Sequence, residues 1–353
     1  MNGLEAFRAC RTPADFYRLQ IELENDCAPA ELLAMLEPRD ELPIPARKWI
    51  ERLEGMMRTG NAPIQPFERV RLAEHVHFFR GAAPEGAPKS LLLCFCGNYH
   101  RLMVPLPLFL QHVPAREFDV VVFKDALRCF FLRGVQGYGG NFGELRERLA
   151  RDLPLERYAS LRCVGTSSGG AAGLVAGALF GAERALAFGG IHPSRSAENM
   201  SEEVDGCELD PFSARADASS TRLLALYGAG NEHDREAAAT LCRSFGAVAM
   251  GVPGVVTHNI FYELFERGEL TAFLTRNLLG SLAELDAAMT EATPVDRLAS
   301  PGPKGRRRRS PVTRMKGAWK RFGGWDQFAY WNRRCAEYLL ELIRPGGSGR
   351  NKP

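Results

Sequence analysis

The chain has 353 residues, of which 45% are hydrophobic and 25% are charged. This balance is typical of a soluble globular protein and excludes a disordered or fibrous chain. The longest run of small apolar residues, 171–182, is too short to cross a bilayer. The first residues lack a basic stretch followed by an apolar core, so we expect no secretion signal and predict a cytoplasmic protein.

The nine cysteines do not form a dense framework, and their odd number favours free thiols in a reducing compartment. Cys94 and Cys96 are two residues apart in an apolar run, where strand alternation places both thiols on one face. We interpret them as core residues. Because no second Cys or His pair lies at zinc spacing, we expect no metal, and the chemistry predicted below needs no cofactor.

The formal net charge of +3 is unevenly distributed. Nine Lys and Arg residues lie within 304–321 without an acid among them, and the rest of the chain has 36 bases against 42 acids. Three of the four tryptophans lie between 319 and 331. This basic, aromatic segment fits contact with an anionic membrane surface or an acidic protein, or a solvated linker. The acidic body and the lack of a recognition motif argue against nucleic acid.

Helical periodicity dominates the first part of the chain. Apolar residues recur at steps of three and four over 4–25, 29–38 and 45–60, and these segments end near Pro or Gly. We predict that 1–73 is an N-terminal extension of three helices. An alternating stretch over 70–79 predicts the first strand.

Six short apolar runs alternate with helical segments between residues 88 and 280. This pattern predicts an α/β fold with a mostly parallel sheet, covered by helices on both faces. The runs are 90–97, 118–124, 161–165, 184–189, 222–228 and 247–252.

The predicted catalytic domain spans 74–292. The polar segment 192–220 interrupts its rhythm and predicts a cap or lid. A basic linker over 293–324 and a C-terminal helix and tail over 325–353 complete the organisation.

The segment Gly165-Thr166-Ser167-Ser168-Gly169 follows a predicted strand and precedes a predicted helix. In that context the pattern G-x-S-x-G indicates a strained turn that presents a nucleophilic serine, here Ser167. The backbone N–H of Ser168 would then face a developing oxyanion at the start of the helix. A glycine-rich connection without chemistry is the alternative interpretation.

A serine nucleophile needs a base, and His258 fits because it follows the last predicted strand. A structural or helix-capping histidine is the alternative. The acid is expected between Ser167 and His258, where Asp234 is the first choice and Glu232 the second. Asp234 also fits the N-cap of the helix that follows it.

With these motifs, residues 90–280 resemble the α/β-hydrolase superfamily of serine hydrolases. The resemblance implies a second oxyanion donor from the loop 97–100, namely the N–H of Asn98 or Tyr99. The H-G pattern familiar in esterases and lipases does not occur in that loop. Tyr99, His100 and His192 are candidate substrate contacts.

We therefore predict a serine hydrolase that cleaves a carboxylic ester or related acyl compound through a Ser-His-Asp triad and an acyl-enzyme. One alternative is an acyltransferase in surface-glycan or lipid assembly, held peripherally at a membrane by its basic tail. Another is a non-catalytic scaffold that keeps the fold and acts through its two ends.

Overall fold

The computed structural model describes residues 3–35, 39–60, 62–84, 86–195 and 221–291. The helices are α1 Gly3–Ala9, α2 Pro13–Asp26, α3 Pro29–Ala34, α4 Ile44–Thr59, α5 Leu106–Gln111, α6 Phe142–Asp152, α7 Gly170–Phe180, α8 Glu232–Phe245, α9 Ile260–Glu266, α10 Leu270–Leu274 and α11 Leu282–Glu291. The strands are β1 Phe67–Ala73, β2 Val76–Gly81, β3 Ser90–Phe95, β4 Phe118–Phe123, β5 Ser160–Thr166, β6 Arg184–Phe188, β7 Arg222–Gly228 and β8 Val248–Val252.

One sheet contains all eight of these strands, in the order β1-β2-β4-β3-β5-β6-β7-β8. Strands β3 to β8 pair in parallel, whereas β2 is antiparallel to both β1 and β4. The predicted mostly parallel sheet is thus confirmed. Because parallel strands all end at one edge, the loops after β3 to β8 meet along that edge.

The sheet has a hydrophobic core on each face. Leu92 and Cys94 of β3 join one core, while Leu93 and Phe95 join the other, because neighbouring side chains on a strand point to opposite faces. Helices α1 to α5 and α9 to α11 cover the first face, and α6 to α8 cover the second. Cys94 and Cys96 are both buried in the first core, as predicted, and burial raises the pKa of each thiol.

Among its described residues, the N-terminal segment contains four α-helices, where the sequence predicted three. A capping box divides the predicted helix over 4–25: Thr12 Oγ1 accepts from the Asp15 N–H at 3.2 Å, and Asp15 Oδ2 accepts from the Thr12 N–H at 2.9 Å. Pro13 begins the second helix, because proline lacks an N–H and suits the first helical turn.

The stretch over 70–79 is not one strand. It contains the end of β1, a turn at Glu74 and His75, and most of β2, which pairs back on β1 as a hairpin. Alternation persists on both sides of so short a turn, and periodicity alone therefore joins the two strands. Strand β1 also lies within the predicted helical extension 1–73.

Several predicted segments lie outside the described residues. These are the cap beyond residue 195, the basic linker 293–324 and the C-terminal segment 325–353. Among the helices of the described ranges, none is long and apolar enough to cross a membrane.

Helix α7 packs very closely on the sheet. A Cβ atom on Gly177 would overlap the Ala185 methyl group of β6, which has no rotamer that moves it aside. Gly55 in the middle of α4 is the opposite case, because a Cβ atom there meets nothing within 4 Å.

Alanine substitutions of these two glycines should change the free energy of unfolding in opposite directions. Gly55→Ala should raise the free energy of unfolding by about 0.5–1 kcal/mol, because alanine restricts the unfolded chain and favours helix. Gly177→Ala should lower it by about 1–2 kcal/mol, since overpacking outweighs the same propensity gain. Chemical denaturation of the two variants measures both. A stabilised Gly177→Ala would contradict the close contact between α7 and β6.

Candidate active site

The strand β5 ends in a sharp turn that presents Ser167. Ser167 begins a single 3₁₀ turn, Ser167–Gly169, and α7 follows at once. The φ angle of Ser167 is +52°, a left-handed conformation that costs a non-glycine residue about 1–2 kcal/mol. A Cβ atom on Gly165 would overlap the Gly169 carbonyl, so the turn excludes any side chain at 165. The turn therefore has the strand–bend–helix geometry that the sequence predicted.

His258 and the buried Asp234 are within hydrogen-bonding distance of each other. Both carboxylate oxygens of Asp234 lie 2.9 Å from His258 Nδ1. The Asp234 side chain is 1% exposed and that of His258 is 18% exposed. Since a carboxylate only accepts hydrogen bonds, this contact places a proton on Nδ1, and a ring protonated at Nδ1 alone has an acceptor at Nε2.

The N-cap of α8 is Asn231, not Asp234. Asn231 Oδ1 accepts from the Asp234 N–H at 3.3 Å, so Asp234 lies in the first turn and its carboxylate is left for His258. The alternative acid, Glu232, is exposed and pairs with Arg235. The structure thus brings Asp234, and not Glu232, to the histidine.

His258 is held in a loop between β8 and α9. Asn259 caps α9 by accepting from the Tyr262 N–H at 3.3 Å, so His258 itself is not the cap. Glu263 reaches back from the first turn of α9 and accepts from the Thr257 N–H at 2.7 Å. The backbone on each side of His258 is therefore fixed by α9.

Ser167 and His258 contact the same short segment after β6. The backbone N–H of Ile191 donates to the Ser167 carbonyl at 3.0 Å. A Cβ atom on Gly189 would lie 2.8 Å from His258 Cε1. The two side chains therefore lie at the same edge of the sheet. Neither Ser167 Oγ nor His258 Nε2 hydrogen-bonds to another of the described residues.

The loop after β3 lies beside the turn at Ser167. A Cβ atom on Gly97 would lie 3.2 Å from Ser167 Cβ. The loop closes on itself, since the Gly97 N–H donates to the Arg101 carbonyl at 3.0 Å and the His100 N–H donates to the Gly97 carbonyl at 2.8 Å. Asn98 is exposed, and its N–H donates no hydrogen bond within the described ranges.

Of the predicted substrate contacts, Tyr99 and His100 lie in this loop. Tyr99 is 38% exposed. The His100 ring is partly buried, its Nε2 lies 3.1 Å from the Asp125 carbonyl, and burial lowers its pKa. Both residues are therefore part of the proposed oxyanion loop.

His192 lies in the segment after β6 that packs along α8. Its ring centroid lies 5.6 Å from that of Phe245, the last residue of α8, and its Nδ1 lies 2.6 Å from Ser194 Oγ. Arg195 donates to the Glu236 carbonyl of the same helix at 3.1 Å. A contact between His192 and substrate stays a prediction.

Backbone strain is concentrated at this edge. Non-glycine residues with positive φ are found in the loops after β3, β4 and β5, where they surround the turn at Ser167. Such strain persists where surrounding structure fixes it and is typical of functional sites. Within the described residues they are His100, Met103, Arg128, Phe130, Phe131 and Ser167.

Two N-terminal residues also reach the site, although sequence reasoning did not predict them. Asn25 of α2 donates from Nδ2 to the Tyr99 carbonyl at 3.1 Å, and Glu24 pairs with Arg101. No local sequence motif predicts contacts between residues more than 70 positions apart.

Within the described ranges, no group of three or more His, Cys, Asp and Glu could hold a metal ion.

No family model and no curated protein matches the chain. Solved structures match it in part. The enterochelin esterase from Shigella flexneri is 15% identical with a TM-score of 0.39, and the match covers 60% of this chain and 59% of the esterase. An S-formylglutathione hydrolase from Staphylococcus aureus is 11% identical with a TM-score of 0.40, covering 60% and 97%. A 2,6-dihydroxy-pseudo-oxynicotine hydrolase is 13% identical with a TM-score of 0.43, covering 79% and 86%.

The architecture itself shows the fold class. The sheet has eight strands, of which β2 is antiparallel to its neighbours and β3 to β8 are parallel, and helices cover both of its faces. The sharp turn follows directly after β5. The fold is α/β-hydrolase-like. The match to the esterase spans only 59% of that protein's length, so the esterase's activity is not carried over to this chain.

The left-handed backbone at Ser167 makes a prediction about stability. Ser167→Gly should unfold with a free energy about 1 kcal/mol higher than Ser167→Ala, because glycine adopts positive φ without a Cβ clash. The order should reverse at Ser168, whose φ is not positive, so that Ser168→Ala is more stable than Ser168→Gly by about 0.5–1 kcal/mol. Urea denaturation of the four variants measures both differences. The same order at both positions would contradict the strained turn.

Proposed function

We propose that the chain is a serine hydrolase that cleaves a carboxylic ester or related acyl compound. The observation that carries this proposal is the contact between His258 and the buried Asp234, at the same edge of the sheet as a serine on a left-handed turn. A carboxylate, an imidazole and a hydroxyl in this order support acyl transfer.

In the first step, Ser167 Oγ attacks the carbonyl carbon of the ester while His258 Nε2 takes the hydroxyl proton. The Ser167–His258 hydrogen bond forms when substrate is bound, as catalytic hydrogen bonds often tighten only in the complex. Asp234 holds the ring through Nδ1–H and stabilises the imidazolium that develops. Its burial keeps this charge–charge interaction from being screened by water.

The tetrahedral intermediate then collapses. The bond to the leaving alcohol breaks, His258 returns its proton to that alcohol oxygen, and the acyl group stays on Ser167 Oγ. A water molecule then loses a proton to His258 and attacks the acyl carbon. The bond to Ser167 Oγ breaks, His258 returns that proton to Ser167 Oγ, and the carboxylic acid leaves.

The negative charge on the substrate oxygen requires donors. The Ser168 N–H is suited to this role because the first N–H groups of a helical turn have no partner within the helix. The second donor is the N–H of Asn98, or of Tyr99 beside it, in the loop next to Ser167. Ester rather than amide cleavage is proposed by analogy with the chemistry common on this fold.

A fluorophosphonate probe tests the nucleophile. It should add to the wild-type chain at Ser167, as measured by intact mass and peptide mapping, and Ser167→Ala should abolish both labelling and hydrolysis of p-nitrophenyl butyrate. Asp234→Asn should lower kcat by about 10⁴-fold, because asparagine no longer holds the ring tautomer with Nδ1 protonated. Glu232→Gln is the matched control, since Glu232 is exposed and faces Arg235, and should stay within about twofold of wild type.

Two results would oppose the proposal. Folded wild-type protein that neither reacts with the probe nor hydrolyses any of a panel of short acyl esters would favour the non-catalytic scaffold. Labelling that persists in Ser167→Ala would place the nucleophile elsewhere.

A further inference from the structure

We propose that Glu24 and Asn25, at the C-terminal end of α2, are positioning residues for the loop 97–101. That loop provides the second oxyanion donor in the proposed hydrolase, and the inference rests on that function. The N-terminal helices would then be a part of the catalytic apparatus rather than an appendage to it.

Asn25 fixes the turn of the loop from one side. Its side chain is 4% exposed, and Nδ2 donates to the Tyr99 carbonyl at 3.1 Å. The next N–H, that of His100, donates to the Gly97 carbonyl at 2.8 Å. The peptide group between Tyr99 and His100 is thus held at both its oxygen and its nitrogen. Tyr99 directly follows Asn98, whose N–H is the proposed donor.

Glu24 fixes the end of the loop. It is 4% exposed, and its two carboxylate oxygens are shared by three partners, of which Arg52 of α4 lies 3.7 Å from Oε1. Oε2 pairs with the Arg101 guanidinium, and Oε1 accepts from Trp49 Nε1 at 2.8 Å. Because Trp49 lies in α4, Glu24 connects the loop to the packed helices of the N-terminal segment.

The backbone of Arg101 carries this constraint to the nucleophile. Its carbonyl accepts from the Gly97 N–H at 3.0 Å and from Thr166 Oγ1 at 3.1 Å. Gly97 lies beside Ser167, and Thr166 precedes it. The hydrogen bonds from α4 through α2 therefore end on both the oxyanion loop and the residue before Ser167.

The loop needs such external support. It belongs to neither a helix nor a strand, and its residue His100 has a left-handed φ angle, as does Met103 two residues beyond the loop. Productive geometry at an oxyanion site requires donors placed to within about 0.5 Å, which side chains locked by burial provide. Glu24 and Asn25 are two such side chains, and both face this loop.

The experiment compares Glu24→Gln and Asn25→Ala with wild type on p-nitrophenyl butyrate. Each should lower kcat by about 10- to 100-fold, with KM within about threefold, because the displaced donor acts on the oxyanion and not on the bound ester. Inhibition by a trifluoromethyl ketone, which forms a tetrahedral oxyanion on Ser167, should weaken by the same factor as kcat/KM. Glu24→Gln keeps an oxygen acceptor for Trp49 and removes the negative charge that pairs with Arg101 and Arg52.

Two further comparisons separate positioning from general stability. Arg101→Lys keeps the positive charge and should lose less kcat than Arg101→Gln, which should resemble Glu24→Gln. Glu41→Gln removes an exposed ion pair with Arg8 in the same N-terminal segment and should leave kcat at the wild-type value. Melting temperatures of all variants ensure that only folded enzyme is compared.

Hydrogen exchange provides a measurement that does not depend on activity. Peptides containing 97–101 should exchange about tenfold faster in Glu24→Gln and Asn25→Ala than in wild type, because the Gly97 and His100 amides lose their support. Unchanged exchange, or faster exchange with kcat within twofold of wild type, would overturn the positioning role while leaving the hydrolase proposal intact. A wild-type protein without any esterase activity would overturn the catalytic part of both.

Discussion

The close packing of α7 against β5 and β6 is the constraint on which the rest of the site depends. The helix begins directly after the strand, and a Cβ atom on either Gly165 or Gly177 would collide with its neighbours. With so little room, the chain reverses through a single left-handed residue, Ser167, whose side chain must stand at the edge of the sheet. The bend thus follows from packing, and the exposure of the hydroxyl follows from the bend.

Burial makes the acid and the histidine depend on each other. A carboxylate that is 1% exposed costs several kcal/mol unless it is paired or hydrogen-bonded, and His258 supplies that partner to Asp234. Asn231 takes over the capping of α8, which leaves Asp234 without a competing structural role. The contact between Asp234 and His258 therefore contributes both to the stability of the fold and to the proposed chemistry.

The parts of this protein that follow local rules could be predicted from its sequence. The six apolar runs correspond to β3 to β8, because buried parallel strands need continuous apolar residues. The turn at Ser167 was predictable because so tight a turn, followed by a closely packed helix, has room only for glycine and other small residues. The role of Asp234 remained ambiguous, since an aspartate there could cap the helix or orient the histidine and only the three-dimensional contact with His258 separates the two roles. The role of His192 stays a prediction, because a strand end predicts the sheet edge but not the direction in which the chain leaves it. The contacts of Glu24 and Asn25 depend on tertiary packing across about 75 residues, for which the sequence has no local signal.

The composition of the first core also bears on how the chain folds during synthesis. That core joins residues from α1 to α4 with residues of α9 to α11, and Phe109 of α5 stacks on Phe261 of α9 at 5.9 Å. One face of the sheet therefore stays incompletely covered until residues near 285 have left the ribosome. Phe109 must wait for Phe261, about 150 positions later in the chain, so the nascent chain exposes apolar surface of this core for much of its translation.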